Sequence, residues 1–404
     1  MEVTVLETNI ILLSIACIVA IAVKRIKLPY TTALVMVGLG VSFFHFPAEI
    51  HLSHDLVFYI ILPPLLFLGG LNLDFHELRE NFWRILTFSI PGVLISTFVI
   101  GYLLSYLLEM ELIYGLLFGA LITPTDPISV LAIFKDVGAP SRLRVIVEGE
   151  SLFNDGTGVV IFTIILAIAT GSSNPTVPSA LLTFLKVSLG GGLIGFGLGY
   201  LAYRMLVIVD DHLLEVMITI VLAFGAFTVA ELFHMSGVIA VVVAGLLIGN
   251  YGQEFSMSDS TREAVDIFWE SIDFVVNSFL FLMIGLELQK LQKYNISELA
   301  NYLTPILITV GVVIVARALS VYPLNAILRK NESQKIPPSW SHVFVWGGLK
   351  GSIPIALVLG LPKDIMYRED FIIISFGVVL FSLIGQSLTM KPLLKKLGIM
   401  RYKA

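Results

Sequence analysis

The sequence predicts an all-α polytopic membrane protein, and three observations carry that prediction. Of 404 residues, 57% are hydrophobic and 14% are charged, whereas a soluble domain carries about 25% charged residues. A chain with a mean hydropathy of +0.92 has too few polar groups to cover its own surface, so lipid must solvate most of it. Apolar runs of roughly 17 residues or more, long enough to cross about 30 Å of hydrocarbon, recur along the chain. Lysine and arginine collect in alternate loops between those runs.

In chain order the thirteen runs are 8–23, 30–46, 56–72, 85–107, 112–134, 147–170, 180–208, 213–233, 236–250, 267–288, 302–328, 341–361 and 370–390. The seventh is long and the ninth short. No segment between them is large enough for a soluble domain, so residues 1–404 read as one membrane transport domain. The start, Met1-Glu2-Val3-Thr4, lacks the basic opening and small-residue cleavage site of a signal peptide, and the first run is expected to be a retained span. With the N-terminus outside, the inner loops hold Lys24, Arg25, Lys27, Arg79, Arg84, Lys135, Arg142, Arg144, Arg204, Arg262, Arg329, Lys330 and Lys335. Lys391, Lys395, Lys396, Arg401 and Lys403 of the tail bring this side to eighteen, against four outside, Lys290, Lys293, Lys363 and Arg368. Positive charge favours the cytoplasmic side, so the bias predicts thirteen spans in a cell (inner) membrane, N-terminus outside and C-terminus cytoplasmic. The net charge of −5 comes with no basic run, so no nucleic-acid partner is expected; membrane lipids are. The single cysteine, Cys17, forms no internal disulfide or Cys-rich metal site and reads as small apolar filler.

Two spans are interrupted. The fifth contains Thr123-Pro124-Thr125-Asp126-Pro127, where two prolines remove backbone donors and break the helix. The twelfth contains Gly347-Gly348-Leu349-Lys350-Gly351-Ser352-Ile353-Pro354. If spans 1–6 and 8–13 are inverted copies joined by the seventh, these breaks are counterparts. Paired broken helices in matching positions point to the binding site of a secondary transporter.

A charge at the bilayer centre costs about 3 kcal/mol on insertion scales, so each one needs a partner or a function. Asp126, Arg317 and Lys350 fall at mid-span, and Glu150 and Asp155 of the sixth span lie at similar depth. Asp155 is about ten residues into its span, roughly 15 Å. Ser151 and Asp155 are four apart and share one helical face; Glu150 and Asn154 share another. Ser151 and Asp155 thus offer a hydroxyl and a carboxylate to one ligand, while Glu150 points elsewhere, to a cation such as Arg317. Hard cations take oxygen ligands, and Asp155, Ser151, Asp126 and carbonyls of the unwound Thr125 region suit a small alkali cation. Desolvation favours the proton-bearing form of a carboxylate, so proton and Na⁺ would exclude one another at Asp155. With one exchanging carboxylate beside the neutral Asn154, one H⁺ per Na⁺ is expected, an electroneutral exchange without a cofactor or an enzymatic reaction.

The other polar residues read more plainly. Asp126 also suits a helix cap. Lys350 suits compensation of the negative end of a half-helix, and Asn154 a hydrogen-bonding organiser. Glu215, Glu231, Asp266, Glu270 and Asp273 sit near span ends as solvated or funnel-lining groups, and His212 and His234 lie by membrane edges.

Leu121-Ile122-Thr123-Pro124-Thr125-Asp126-Pro127 and Glu150-Ser151-Leu152-Phe153-Asn154-Asp155-Gly156 resemble the NhaP/Na⁺/H⁺-exchanger branch of the monovalent cation–proton antiporters. So do Leu62-Pro63-Pro64-Leu65-Leu66-Phe67, Asn277-Ser278-Phe279-Leu280-Phe281-Leu282 and Gly347-Gly348-Leu349-Lys350-Gly351. The resemblance covers essentially the whole chain. It implies a thirteen-span inverted repeat, with a core domain of spans 4–6 and 11–13 and a dimerisation domain from the remainder, assembled as a homodimer. It also implies ion and proton binding at Asp155, coordination helped by Ser151, Thr125 and Asp126, and supporting roles for Glu150, Asn154, Arg317 and Lys350. Members usually carry arginine where this chain has Lys350, and many carry a glutamate where it has Leu68-Gly69-Gly70. The short tail after Leu388 favours a prokaryotic member. A K⁺/H⁺ antiporter would share every one of these features. A channel would favour repeated selectivity rings over this single asymmetric site, and an intramembrane hydrolase would need a Ser/His or Asp/Asp pair.

Overall fold

In lipid an isolated segment satisfies its backbone by becoming a helix, and among the described residues every regular element is helical. The computed structural model describes residues 2–26, 28–42, 53–173, 175–209, 211–253, 256–287, 296–330 and 335–399. Its helices are α1 (Glu2–Ile26), α2 (Tyr30–Ser42), α3 (Leu56–Asn72), α4 (Phe75–Ser89), α5 (Pro91–Leu107), α6 (Leu112–Ile122), α7 (Ile128–Val137) and α8 (Ser141–Ala169). There follow α9 (Val177–Leu206), α10 (His212–Leu232), α11 (Gly237–Gly252), α12 (Asp259–Glu287), α13 (Ile296–Leu328), α14 (Pro338–Trp346), α15 (Ser352–Leu359) and α16 (Arg368–Lys396).

Among the described residues, seven helical stretches are long and apolar enough to cross a membrane: Phe75–Leu107, Ser141–Ala169, Val177–Leu206, His212–Leu232, Asp259–Glu287, Asn301–Leu328 and Arg368–Lys396. The other apolar helices are shorter. Each predicted run overlies helix, but helices extend past the apolar runs where their outer turns are polar. The fourth apolar run begins at 85, yet its helix begins at Phe75, capped by Asp74, whose carboxylate accepts from Glu77 N at 2.8 Å. Residues 43–46 of the second run and 288 of the tenth, with Lys27, Lys290, Lys293, Arg401 and Lys403 of the charge bias, lie outside the described residues.

Small residues bring the helices that carry the site close together. A Cβ at Gly101 of α5 would lie 2.7 Å from Leu116 Cα of α6, so these backbones touch, as small residues allow between membrane helices. α4 packs on α8, α13 on α5, and α2 on α12, with α3, α9 and α10 around α11. Cys17 lies in α1, on its exposed side. One expectation is corrected. Glu215 is neither solvated nor funnel-lining: α12 packs over it, leaving it 1% exposed, and it accepts a hydrogen bond from Thr261 at 3.3 Å.

Candidate ion-binding site

Both breaks are present, and they meet. Helix stops at Ile122 and resumes at Ile128; it stops again at Trp346 and resumes at Ser352. Asp126 N donates to Leu349 O at 2.8 Å, so one unwound strand satisfies the other. Gly351 makes this approach possible, because a Cβ there would lie 2.5 Å from Asp126 Cβ and 2.9 Å from its Cγ.

The broken ends leave carbonyls that need donors. Lys350 Nζ reaches across to the end of α6, donating to Thr123 O at 2.7 Å and Pro124 O at 3.3 Å. The lysine of one break therefore neutralises the negative end of the opposite half-helix, and it is 4% exposed. At the end of α14, Trp346 O accepts from Gln386 Nε2 at 3.2 Å, and Lys350 N donates to Ser382 Oγ at 2.8 Å.

α8 supplies the carboxylates. Glu150 and Arg317 of α13 form a two-pronged pair, Nη1 to Oε1 at 2.8 Å and Nη2 to Oε2 at 2.9 Å. Arg317 Nε also donates to Phe344 O at 3.2 Å, which ties α8, α13 and α14 together. Asn154 Nδ2 links this pair to the break, donating to Glu150 Oε1 and Thr125 Oγ1, each at 3.2 Å. Ser151 Oγ donates to Thr125 O and accepts from Thr125 Oγ1 at 3.3 Å. The carbonyls expected to lie open are thus held, at Thr123 and Pro124 by Lys350 and at Thr125 by Ser151.

Asp155 differs from all of these. It is 6% exposed, and its Oδ1 is buried without a hydrogen-bond partner. Asp126 Oδ1 accepts from Ile128 N at 3.0 Å at the start of α7, while its Oδ2 is also buried and unpartnered. Native interiors seldom leave such oxygens without a donor. Asp155, Asp126 and Thr125 line a cavity of about 150 Å³; among the described residues no lysine or arginine does. Ser151, Asn154, Glu150, Arg317 and Lys350 do not line it. Two acidic residues outside the predicted site also line it, Glu148 and Asp273. Glu148 lies seven residues before Asp155, two helical turns along one face, a spacing from which it was predictable. Asp273 comes from α12, and nothing local in the sequence places it here.

Over residues 11–396 the chain matches the family described as the transmembrane sodium/hydrogen exchanger. The chain belongs to that family. It is 41% identical over 382 residues to the Na⁺/H⁺ antiporter ApNhaP of Aphanothece halophytica, covering 94% of this chain and 71% of that one. It is 42% identical over 343 residues to the Na⁺/H⁺ antiporter NhaP of Pseudomonas aeruginosa, covering 83% and 80%. Against the Na⁺/H⁺ antiporter NhaH of Halobacillus dabanensis, identity is 38% over 402 residues, covering 96% and 97%. The fold is similar to that of the sodium proton antiporter MjNhaP1 from Methanocaldococcus jannaschii, with a TM-score of 0.80, 22% identity and 98% and 99% of the two chains covered. This exchanger-family member is therefore a multi-pass helical membrane protein.

Proposed function

We propose that this protein exchanges Na⁺, or Li⁺, for H⁺ across the inner membrane by alternating access, with cation and proton competing for Asp155. The observation that carries the reading is the buried, donor-free Oδ1 of Asp155, beside the meeting point of two broken helices, at a cavity with acidic walls. A buried carboxylate oxygen with no donor gains by taking either a proton or a hard cation. One group that holds either ligand but not both couples their movements once it is exposed to each side in turn. Family membership and the names of the relatives support the same exchange.

Asp155 binds the ion, with Thr125 and Asp126 completing the oxygen shell and Ser151 turning its hydroxyl oxygen to the cation when its bond to Thr125 O gives way. Glu150 with Arg317, Asn154 and Lys350 hold the breaks in shape. One exchanging carboxylate gives one H⁺ per Na⁺, so transport is electroneutral, and no cofactor takes part. The chain has thirteen spans in two inverted copies, the broken fifth and twelfth being counterparts. Spans 4–6 and 11–13 form the core domain; the remainder forms the dimerisation domain of a homodimer. The cavity extends from Asp155 past Glu148 toward Asn72 and the start of α8, the end that carries Lys135, Arg142 and Arg144. With the N-terminus outside and the C-terminus inside, this end is cytoplasmic, and the conformation is open inward.

The test is cation-driven proton movement in proteoliposomes with Na⁺, Li⁺ or K⁺ gradients, with and without an imposed voltage. Na⁺- and Li⁺-driven exchange insensitive to voltage is expected. Exchange driven by K⁺ alone would identify a K⁺/H⁺ antiporter instead, and a strong voltage dependence would end the one-for-one scheme.

A further inference from the structure

One wall of the cavity comes from α12. Along this helix Glu263, Asp266, Glu270, Asp273 and Asn277 follow one another at steps of three and four residues, so they form one seam. Glu263 and Glu270 are exposed, and Asp266 and Asp273 are half-buried. Asp273 stands six residues inside the apolar run that begins at 267, a depth of roughly 9 Å. Carboxylates at such depth are costly against lipid and face water or a partner instead. The seam thus sets a line of carboxylates from the start of α12, where Asp266 accepts from Gln253 Nε2 at 2.7 Å, to Asp273, which lines the cavity.

At that junction Asp273 Oδ1 accepts from Asn277 Nδ2 at 2.8 Å. Asn277 is 4% exposed, and its Oδ1 is buried without a hydrogen-bond partner. Asp126 lines the same cavity as Asp273, and its Oδ2 is likewise buried and unpartnered. The wall from α3 offers Leu62, Leu65, Leu66, Leu68, Gly69 and Asn72, so besides the breaks the acidic walls are those of α12, with Asp273, and α8, with Glu148 and Asp155. Donor-free oxygens around negative charge are what a hard cation takes.

We infer that Asp273, Asn277 Oδ1 and Asp126 Oδ2 form a second alkali-cation position, on the α12 side of the cavity, loaded along the acidic seam. This rests on the proposed role of Asp155, to which the cation passes. The position raises the local cation concentration and leaves the transport ratio unchanged, because the proton exchanges at Asp155.

The test is initial exchange rate against Na⁺ concentration in proteoliposomes, with Na⁺ supplied from the side at which α12 begins. Asp273→Asn keeps the size and the bond to Asn277 but removes the charge. It is expected to raise half-saturating Na⁺ about five- to twentyfold at low ionic strength, with a smaller change in maximal rate. Added choline chloride should shrink the effect, Asp273→Glu should restore the parent value, and Glu270→Gln should give a smaller rise. Unchanged half-saturation in Asp273→Asn overturns the inference, as does a fall in maximal rate that Asp273→Glu does not restore. Should Asp273→Asn fail to fold, no rise in Glu270→Gln overturns it equally. Asp155→Asn, assayed alongside, separates the two readings: if it still exchanges, the Asp155 scheme fails, whereas an inactive Asp155→Asn beside an unaltered Asp273→Asn sinks only the second position.

Discussion

Replacing Arg317 with methionine tests how the site is held. Glu150 is 2% exposed and Arg317 8%, and both carboxylate oxygens are engaged at 2.8 and 2.9 Å. Without the guanidinium, Glu150 keeps only Asn154 Nδ2, at 3.2 Å. Breaking a buried pair from one side costs about 3–5 kcal/mol, because the remaining charge stays desolvated. Replacing both partners with neutral residues of similar size costs far less. Arg317→Met and Glu150→Gln should each lower the melting temperature of the detergent-solubilised protein by several degrees. The double variant should be more stable than the sum of the two losses requires, by about 2–3 kcal/mol of coupling. The lost bond from Arg317 Nε to Phe344 O is common to Arg317→Met and the double variant and cancels in the cycle. Single variants within about 0.5 kcal/mol of the parent, or strictly additive losses, would refute the claim that this pair ties the helices together.

Other consequences are equally direct. Lys350→Met strands the carbonyls of Thr123 and Pro124 and should cost about 1–3 kcal/mol together with most of the transport. Lys350→Arg retains donors and charge and should recover stability in the same melt; a methionine variant as stable as the parent would contradict the capping role. Gly351→Ala sets a methyl group 2.5 Å from Asp126 Cβ and should cost about 1–3 kcal/mol and impair exchange. Gly311→Ala, with nothing within 4 Å of the added carbon, is the matched control and should do neither. Competition at a single carboxylate predicts that half-saturating Na⁺ rises about tenfold per unit fall in pH once the protonated form prevails. Rates across a pH series would measure that slope, and half-saturation independent of pH would rule out a shared site.

Much of this architecture was legible in the sequence because its signals are local. Pro124 and Pro127 break the fifth span whatever surrounds them, and the glycines around Lys350 break the twelfth. The four-residue spacing of Ser151 and Asp155 placed them on one face, and the cost of lone charges in lipid called for a partner to Glu150. What was not legible depends on contacts between distant segments. Lys350 was expected to serve a half-helix end, but its span could not say that the end belongs to α6. The occupation of the Thr123, Pro124 and Thr125 carbonyls follows from the breaks touching, which residue spacing does not encode. Glu215 looked solvated because it lies near a span end, and only the packing of α12 buries it. Asp273 lines the same cavity as Asp126 from more than a hundred residues away in the chain, and no periodicity reports that.

The measurement that bears most directly on the central claim is exchange by Asp155→Asn. Asparagine preserves the size of the side chain but can neither release a proton nor carry the charge that holds a cation. In proteoliposomes carrying equal amounts of folded parent and variant, the variant should show no Na⁺- or Li⁺-driven proton movement at any pH, while its melting temperature stays at or above the parent value because a buried charge with one unsatisfied oxygen has been removed. A correctly folded Asp155→Asn that still exchanges Na⁺ for H⁺ would contradict the account.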